Sequence, residues 1–366
     1  MFIHQLIEVL EKFAPPALQE DYDNARLITG NPGWECTGAM ICLDVTEAVI
    51  AEAMSRQCNL VIAHHPIVFR GLKSLTGKNY VERTVIKAIK ADIAIYAIHT
   101  NLDNVIRGVS GKMAEKLGLS NVAILEPKGG ILQKLAVFVP DTHAEDLRQA
   151  LFSAGAGDIG NYTGCSFSTT GTGTFTGKAG TDPFIGKPGE PATAQEQRVE
   201  VIFPGWQQGQ VLHAMRGAHH YEEIAYDIYQ LANDYQQTGS GVIGELSEAK
   251  TTEAFLRQLS QTFGIECIKH AGTQDKLIRT VALCGGAGSF LIPAAIRAGA
   301  DAYVTADLKY HEFFDAEDRI LLADIGHYES EQFTIDLLHD LLRENFPNFA
   351  VLKTGVDTNP VRYFTS

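Results

Sequence analysis

Short unbroken apolar runs alternate along this chain with segments whose apolar residues recur at helical spacing, and that alternation predicts the fold class. At the start, Phe2, Ile3, Leu6, Val9, Leu10 and Phe13 are interleaved with Glu8 and Glu11 and closed by Pro15-Pro16, the pattern of an amphipathic surface helix. From residue 39 the pattern predicts a strand over 39–43, a helix over 46–56, a strand over 60–63, a helix over 81–90 and a strand over 93–98. A later region repeats this grammar: strand 281–284, the turn Gly285-Gly286-Ala287-Gly288, helix 291–298, strands 302–305 and 320–323, then helix 331–345. Strands alternating with helices imply a largely parallel sheet covered on both faces.

The two regions read as similar α/β halves of one domain. Adding 242 to the numbering takes Cys42 to Cys284 and His65 to Asp307, and adding 228 takes His99 to His327 and Asp103 to Glu331. Between them lies a segment of different texture: strand 135–139, helix 144–154, a Thr- and Gly-rich hairpin over 166–177, a Pro/Gly loop over 183–191, strand 199–203, helix 209–216 and strand 224–229. That order is the β-α-β-β-α-β of a ferredoxin-like α+β domain. The expected organisation is therefore 1–126, first half of the α/β domain; 127–232, an inserted ferredoxin-like domain; and 233–366, the second half.

Composition narrows the setting. A formal charge of -14 opposes sequence-independent nucleic-acid binding, which needs an excess of Lys and Arg. The six cysteines are scattered and form no C-x-x-C pair, so neither a disulfide framework nor a cysteine zinc site is indicated, and a reducing, cytoplasmic setting is expected. The first residues lack the basic start and apolar stretch of a signal peptide, and no later run is long enough to span a bilayer, so no membrane partner is expected.

The chemistry gathers at strand ends. The run Leu60-Val61-Ile62-Ala63 delivers His64 and His65 and is stopped by Pro66. His99 and Asp103 follow another apolar strand, and His327 and Glu331 follow a third. In open α/β sheets ligands bind beyond the carboxyl ends of strands, so these groups can meet although they are distant in sequence. Several imidazoles with at least two carboxylates exceed what one structural zinc needs and suit a two-metal site that activates a water or hydroxide for hydrolysis. Mixed N/O ligands fit zinc, iron or manganese without choosing among them.

Simpler readings stand beside this one. An isolated His-His pair is more often structural or solvated, and Asp103 is also a candidate helix cap. Asp307, Lys309, Tyr310 and His311 read equally as a supporting cluster or a solvated loop. A second adjacent pair, His219-His220, lies in the inserted segment with no second ligand set nearby and reads as a turn. The Gly285–Gly288 turn matches neither dinucleotide nor P-loop spacing, and close packing explains it as well as phosphate binding does.

Taken together, Ala14-Pro15-Pro16, Leu43-Asp44-Val45-Thr46, Ala63-His64-His65-Pro66, His99-Thr100-Asn101-Leu102-Asp103, Thr305-Ala306-Asp307-Leu308-Lys309-Tyr310-His311 and Gly326-His327-Tyr328-Glu329-Ser330-Glu331 resemble the GTP cyclohydrolase I type 2 homologues, or NIF-three-like proteins. The resemblance covers nearly the whole chain. It implies two divalent metal ions held by His64, His65, Asp103, His327 and Glu331, with His99 and Asp307 in support, a CutA-like inserted domain, and a ring-shaped homohexamer. It also implies a hydrolase acting on a small molecule, GTP or a related nucleotide, with Glu331 bridging the ions and Glu329 moving protons as the catalytic residue. The alternative is a non-catalytic metal-binding or regulatory protein. The chain departs from the family pattern at His220 and Ile224, where prolines are usual, and at Arg26, where a glycine is usual.

Overall fold

The computed structural model describes residues 1–272 and 276–364. The chain forms two compact units, one built from Met1–Pro127 with Gln237–Ser366 and the other from Lys128–Gln236. The first unit is mixed α/β and contains two sheets. One has the strand order Leu27–Thr29, Ala94–Ala97, Leu60–Ala63, Ala39–Cys42, Val351–Lys353. All its neighbours pair in parallel except the Leu27–Thr29 edge.

The other sheet runs Lys269–Ala271, Leu321–Asp324, Ala302–Ala306, Leu277–Ala287, Tyr235–Thr251, Ser120–Lys128. Its three middle strands, Leu321–Asp324, Ala302–Ala306 and Leu277–Ala287, are parallel, and Lys269–Ala271 caps one edge antiparallel. The first sheet thus carries four parallel strands and the second three, each set flanked by a short antiparallel edge strand. The chain crosses between them: Ser120–Lys128 joins the sheet of the later strands, and Val351–Lys353 joins the sheet of the earlier ones.

Burial on both faces explains why these strands read as continuous apolar runs. Side chains alternate across a strand, so in Leu277–Ala287 one face sends Val281 and Leu283 into a core with Val242, Phe255 and Val304. The other face sends Ala282 and Cys284 into a second core with Leu291, Ala295, Tyr303 and Leu322. Such two-sided strands have no polar face to display. The helix Glu47–Ser55 starts at Thr46, whose hydroxyl accepts from the Val49 amide, and Tyr80–Lys90 starts at Asn79, which accepts from the Glu82 amide.

Register places the site. Cys42, Ala63 and Ala97 are mutual partners across the first sheet, so two residues further on Asp44, His65 and His99 emerge side by side at its carboxyl end. In the second sheet Thr305 pairs with Asp324, and the chain leaves these strands into Asp307 and His327.

The second unit has a four-stranded antiparallel sheet ordered Ser166–Thr176, Pro191–Pro204, Leu132–Pro140, Tyr226–Gln230, with helices Ala144–Ser153 and Gln208–Ala218. Its core unites Leu135, Val137, Val199 and Val201 with Leu147, Leu151, Val211 and Met215 of the helices. The hairpin expected over 166–177 is instead one strand, Ser166–Thr176, paired along its length with Pro191–Pro204. Gly171 and Gly173, which looked like turn residues, lie inside it, and Gly173 leaves room for the Glu196 side chain. The expected helix over 331–345 is likewise two helices, His327–Glu331 and Thr334–Asn345. Among the described residues no helix is long and apolar enough to cross a membrane.

Candidate metal centre

The backbone bends where the strand Leu60–Ala63 ends, and the His64 and His65 rings come to 4.8 Å between centroids instead of pointing to opposite faces. His64 is fully buried, and its Nδ1 donates to the Ile98 carbonyl at 2.9 Å. A carbonyl only accepts, so Nδ1 carries the proton and Nε2 presents a lone pair. That Nε2 lies 3.6 Å from Asp103 Oδ1 and 3.9 Å from Glu331 Oε2.

Each of the other imidazoles has a carboxylate behind it. His65 Nδ1 meets Asp44 Oδ1 at 2.8 Å, and Asp44 Oδ2 in turn accepts from the Thr358 hydroxyl at 3.1 Å. His99 Nδ1 meets Asp23 Oδ1, and His327 Nδ1 meets Asp307 Oδ2, both at 2.8 Å. A hydrogen bond on one ring nitrogen fixes the tautomer and orientation and leaves the other nitrogen as a ligand.

The free nitrogens of His65 and His327 converge on Glu331. Its Oε2 is 2.9 Å from His65 Nε2 and 3.2 Å from His327 Nε2, and those two nitrogens are 3.4 Å apart. His327 and Glu331 open and close one helical turn, so they share a face. Gly286 makes room for this carboxylate: its φ is 64°, and a Cβ there would press on Glu331 and His327.

Two donor sets result, His64 with His65 and His99, and His65 with His327 and Glu331, the ligand atoms within each lying within 4.8 Å of one another. His65 belongs to both. Asp103 closes the far side of His64, and its Oδ1 and His64 Nε2 are both buried without a hydrogen-bond partner beside Glu331 Oε2. An acceptor buried with no proton donor, as His64 Nε2 and Asp103 Oδ1 are, costs about 1–3 kcal/mol. A cation among them removes that penalty, so the residues present fit a metal ion.

The titration behaviour has the same origin. Burial works to lower the pKa of His65, but its bonds to Asp44 and Glu331 outweigh it and push it up to about 10. Burial likewise opposes the rise of His327, which Glu331 and then Asp307 carry to about 9. Glu331 is held well below the carboxylate range, against its burial, by His327, His64 and His65. Burial raises Asp103, with His64 pulling the other way and the charge of Glu331 adding to the rise. Protons thus supply here the positive charge that a metal would supply.

All five expected ligands, His64, His65, Asp103, His327 and Glu331, come to this cluster, and His99 joins one donor set. Glu329 goes elsewhere: two positions from Glu331 it cannot share that face, and its Oε1 accepts from Asn359 Nδ2 at 2.9 Å. Lys309, Tyr310 and His311 are exposed. The Gly285 and Gly286 amides are spent on the Ser110 and Ser330 hydroxyls, so packing accounts for that turn. Sequence reasoning assigned no role to Asp23, Asp44 or Thr358. The available signal was position, since Asp44 follows the strand Ala39–Cys42 as His65 follows Leu60–Ala63.

Fold and site together define a mixed α/β protein that presents a histidine and carboxylate cluster, suited to metal, at the carboxyl ends of parallel strands. The sequence pattern of the family described as Duf34/NIF3 (NGG1p interacting factor 3) matches residues 1–360, and the chain belongs to that family. A protein of Halalkalibacterium halodurans named GTP cyclohydrolase 1 type 2 homolog is 40% identical over 363 residues, covering 98% of each chain. One of the same name from Bacillus subtilis is 40% identical over 364 residues, again covering 98% of each. The crystal structure of a Bacillus cereus protein related to NIF3 matches with a TM-score of 0.88 and 37% identity, covering 100% of this chain and 99% of that one.

Proposed function

We propose that this protein is a hydrolase working with two divalent metal ions, zinc, iron or manganese, on a small molecule such as GTP or a related nucleotide. The supporting observation is the pair of buried, partnerless ligand atoms on His64 and Asp103 beside the Glu331 carboxylate and the ring nitrogens of His65 and His327. In this reading His64, His65, Asp103, His327 and Glu331 would hold the ions, with Glu331 shared among the surrounding imidazoles. Bound there, the ions supply Lewis acidity and a water activated at neutral pH.

The chain's own contribution is orientation. Asp44, Asp307 and the Ile98 carbonyl fix the ligand rings before any ion arrives, which lowers the reorganisation needed on binding. Glu329 serves as a proton carrier in this reading once it releases Asn359. Two cavities adjoin the cluster, about 350 Å³ against Asp103 and about 550 Å³ against His65, sizes suited to a small substrate. The inserted unit is read as a ferredoxin-like module, which its strand-helix-strand-strand-helix-strand order and antiparallel sheet support. The family resemblance extends the reading to a hexamer, checked by mass in solution.

The test is hydrolysis of a panel of nucleotides and simple esters by metal-loaded protein and by His64→Ala. Turnover that His64→Ala abolishes is the expected result. An inert GTP beside another hydrolysed substrate would remove GTP alone, and tight metal with no turnover of any substrate would leave a non-catalytic metal protein.

A further inference from the structure

The larger cavity, about 550 Å³, shares the His65 and Asp44 wall of the metal cluster and extends over the segment that follows Pro66. Its charges are few. Asp44 is already engaged by His65 and Thr358, which leaves Arg70 as the lining group with an uncommitted charge. Among the described residues no carboxylate pairs with Arg70, although the chain carries 44 acidic residues against 30 Lys and Arg. Arg70 is exposed, so its guanidinium is open to an anion, and its planar fork matches phosphate or carboxylate oxygens.

The rim is aromatic. Phe69 and Tyr80 line the same cavity and are 45% and 62% exposed, which leaves ring surface open to a ligand. The Phe69 ring also stands edge-on to His99 with centroids 6.2 Å apart, so one side of this aromatic wall touches the cluster itself. The Asn24 side chain holds the loop in place by donating to the Val68 carbonyl at 2.6 Å. An anion partner, a ring platform and a metal-ligating imidazole therefore face one space.

We propose that this cavity binds a phosphate monoester carrying a flat ring, with the phosphate at Arg70 and the ring against Phe69 and Tyr80. The inference rests on the metal reading of the cluster only for its orientation toward His65; the anion and ring contacts are the chain's own. Arg70 and Phe69 are binding residues in this account, and neither holds the metal.

Calorimetric binding of phenyl phosphate, benzoate, benzyl alcohol and inorganic phosphate tests it, using metal-loaded and metal-free protein with metal content measured alongside. Phenyl phosphate is expected to bind best. Arg70→Ala should cost about tenfold for phenyl phosphate, the order of one charge-assisted hydrogen bond, with metal content unchanged. Phe69→Ala should weaken phenyl phosphate while sparing inorganic phosphate. An unchanged affinity in Arg70→Ala overturns the proposal, as does benzoate or benzyl alcohol binding as tightly as phenyl phosphate. If the protein holds no metal but phenyl phosphate still depends on Arg70, the hydrolase reading falls and the anion site stands.

Discussion

The chain contains two adjacent histidine pairs, and they meet opposite fates. In His64-His65 each ring commits Nδ1 to an acceptor behind it and aims Nε2 at carboxylates. In His219-His220 the first ring spends both nitrogens on backbone: Nε2 donates to the Phe138 carbonyl at 2.9 Å and Nδ1 accepts from the Tyr221 amide at 3.0 Å. Burial lowers the pKa of His219, which favours the neutral ring that this bonding requires. His220 packs against His143, with centroids 3.9 Å apart. The same dipeptide thus leaves ring nitrogens facing carboxylates in one place and fastens a turn in the other, according to how many nitrogens the surrounding backbone consumes.

Substitution should break this comparison most sharply at His65, the residue common to both donor sets. His65→Ala is expected to lose essentially all bound metal, whereas His219→Ala keeps it, as elemental analysis of the two variants will show. Removing the group behind the ring should do less. Asp44→Ala is expected to weaken metal binding roughly 10–100-fold in a competition assay with a chromogenic chelator. Thr358→Val, one bond further back, should lower affinity by less than Asp44→Ala, and Thr358→Ser should restore it.

Acidity sharpens the same contrast. His65 and His327 have pKa values raised to about 10 and about 9 in the metal-free fold, above the ordinary 6.5. Their contribution to metal-free stability is therefore fully present below pH 6.5 and is lost as pH rises through 9 to 10. A metal displaces those protons, so its affinity should climb over the same range, with proton release on binding measurable by calorimetry in buffers of different ionisation enthalpy. His219 behaves in reverse. Its depressed pKa makes the fold lose stability as pH falls below 6.5, and metal does not alter that loss. His219→Ala should instead show in stability: stranding the Phe138 carbonyl should cost about 1–3 kcal/mol in chemical denaturation.

The parallel strands were legible because both their faces are buried, so Leu60–Ala63 and Ala39–Cys42 carry no polar position to blur the pattern. The clustered histidines and carboxylates were legible because each lies within a few residues of such a run. What lay behind them was not. Asp23 and Asp44 meet His99 and His65 only after 76 and 21 residues of intervening separation, and a single aspartate after a strand looks like any cap. The strand Ser166–Thr176 was misread for a different reason: most of its residues are exposed, and its glycines serve a neighbouring side chain rather than a turn. The strand Tyr235–Thr251 escaped notice because its burial alternates only in its middle and Gly239, Gly241 and Gly244 interrupt it.

The central claim is that commitment of one ring nitrogen, and only one, makes His64 and His65 metal ligands. Elemental analysis of protein purified without chelator or added metal tests it most directly, comparing the wild type with His64→Ala and His219→Ala. The account predicts about two ions per chain in the wild type and in His219→Ala, with one or both lost in His64→Ala. Metal content unchanged in His64→Ala, or lost in His219→Ala, would contradict it.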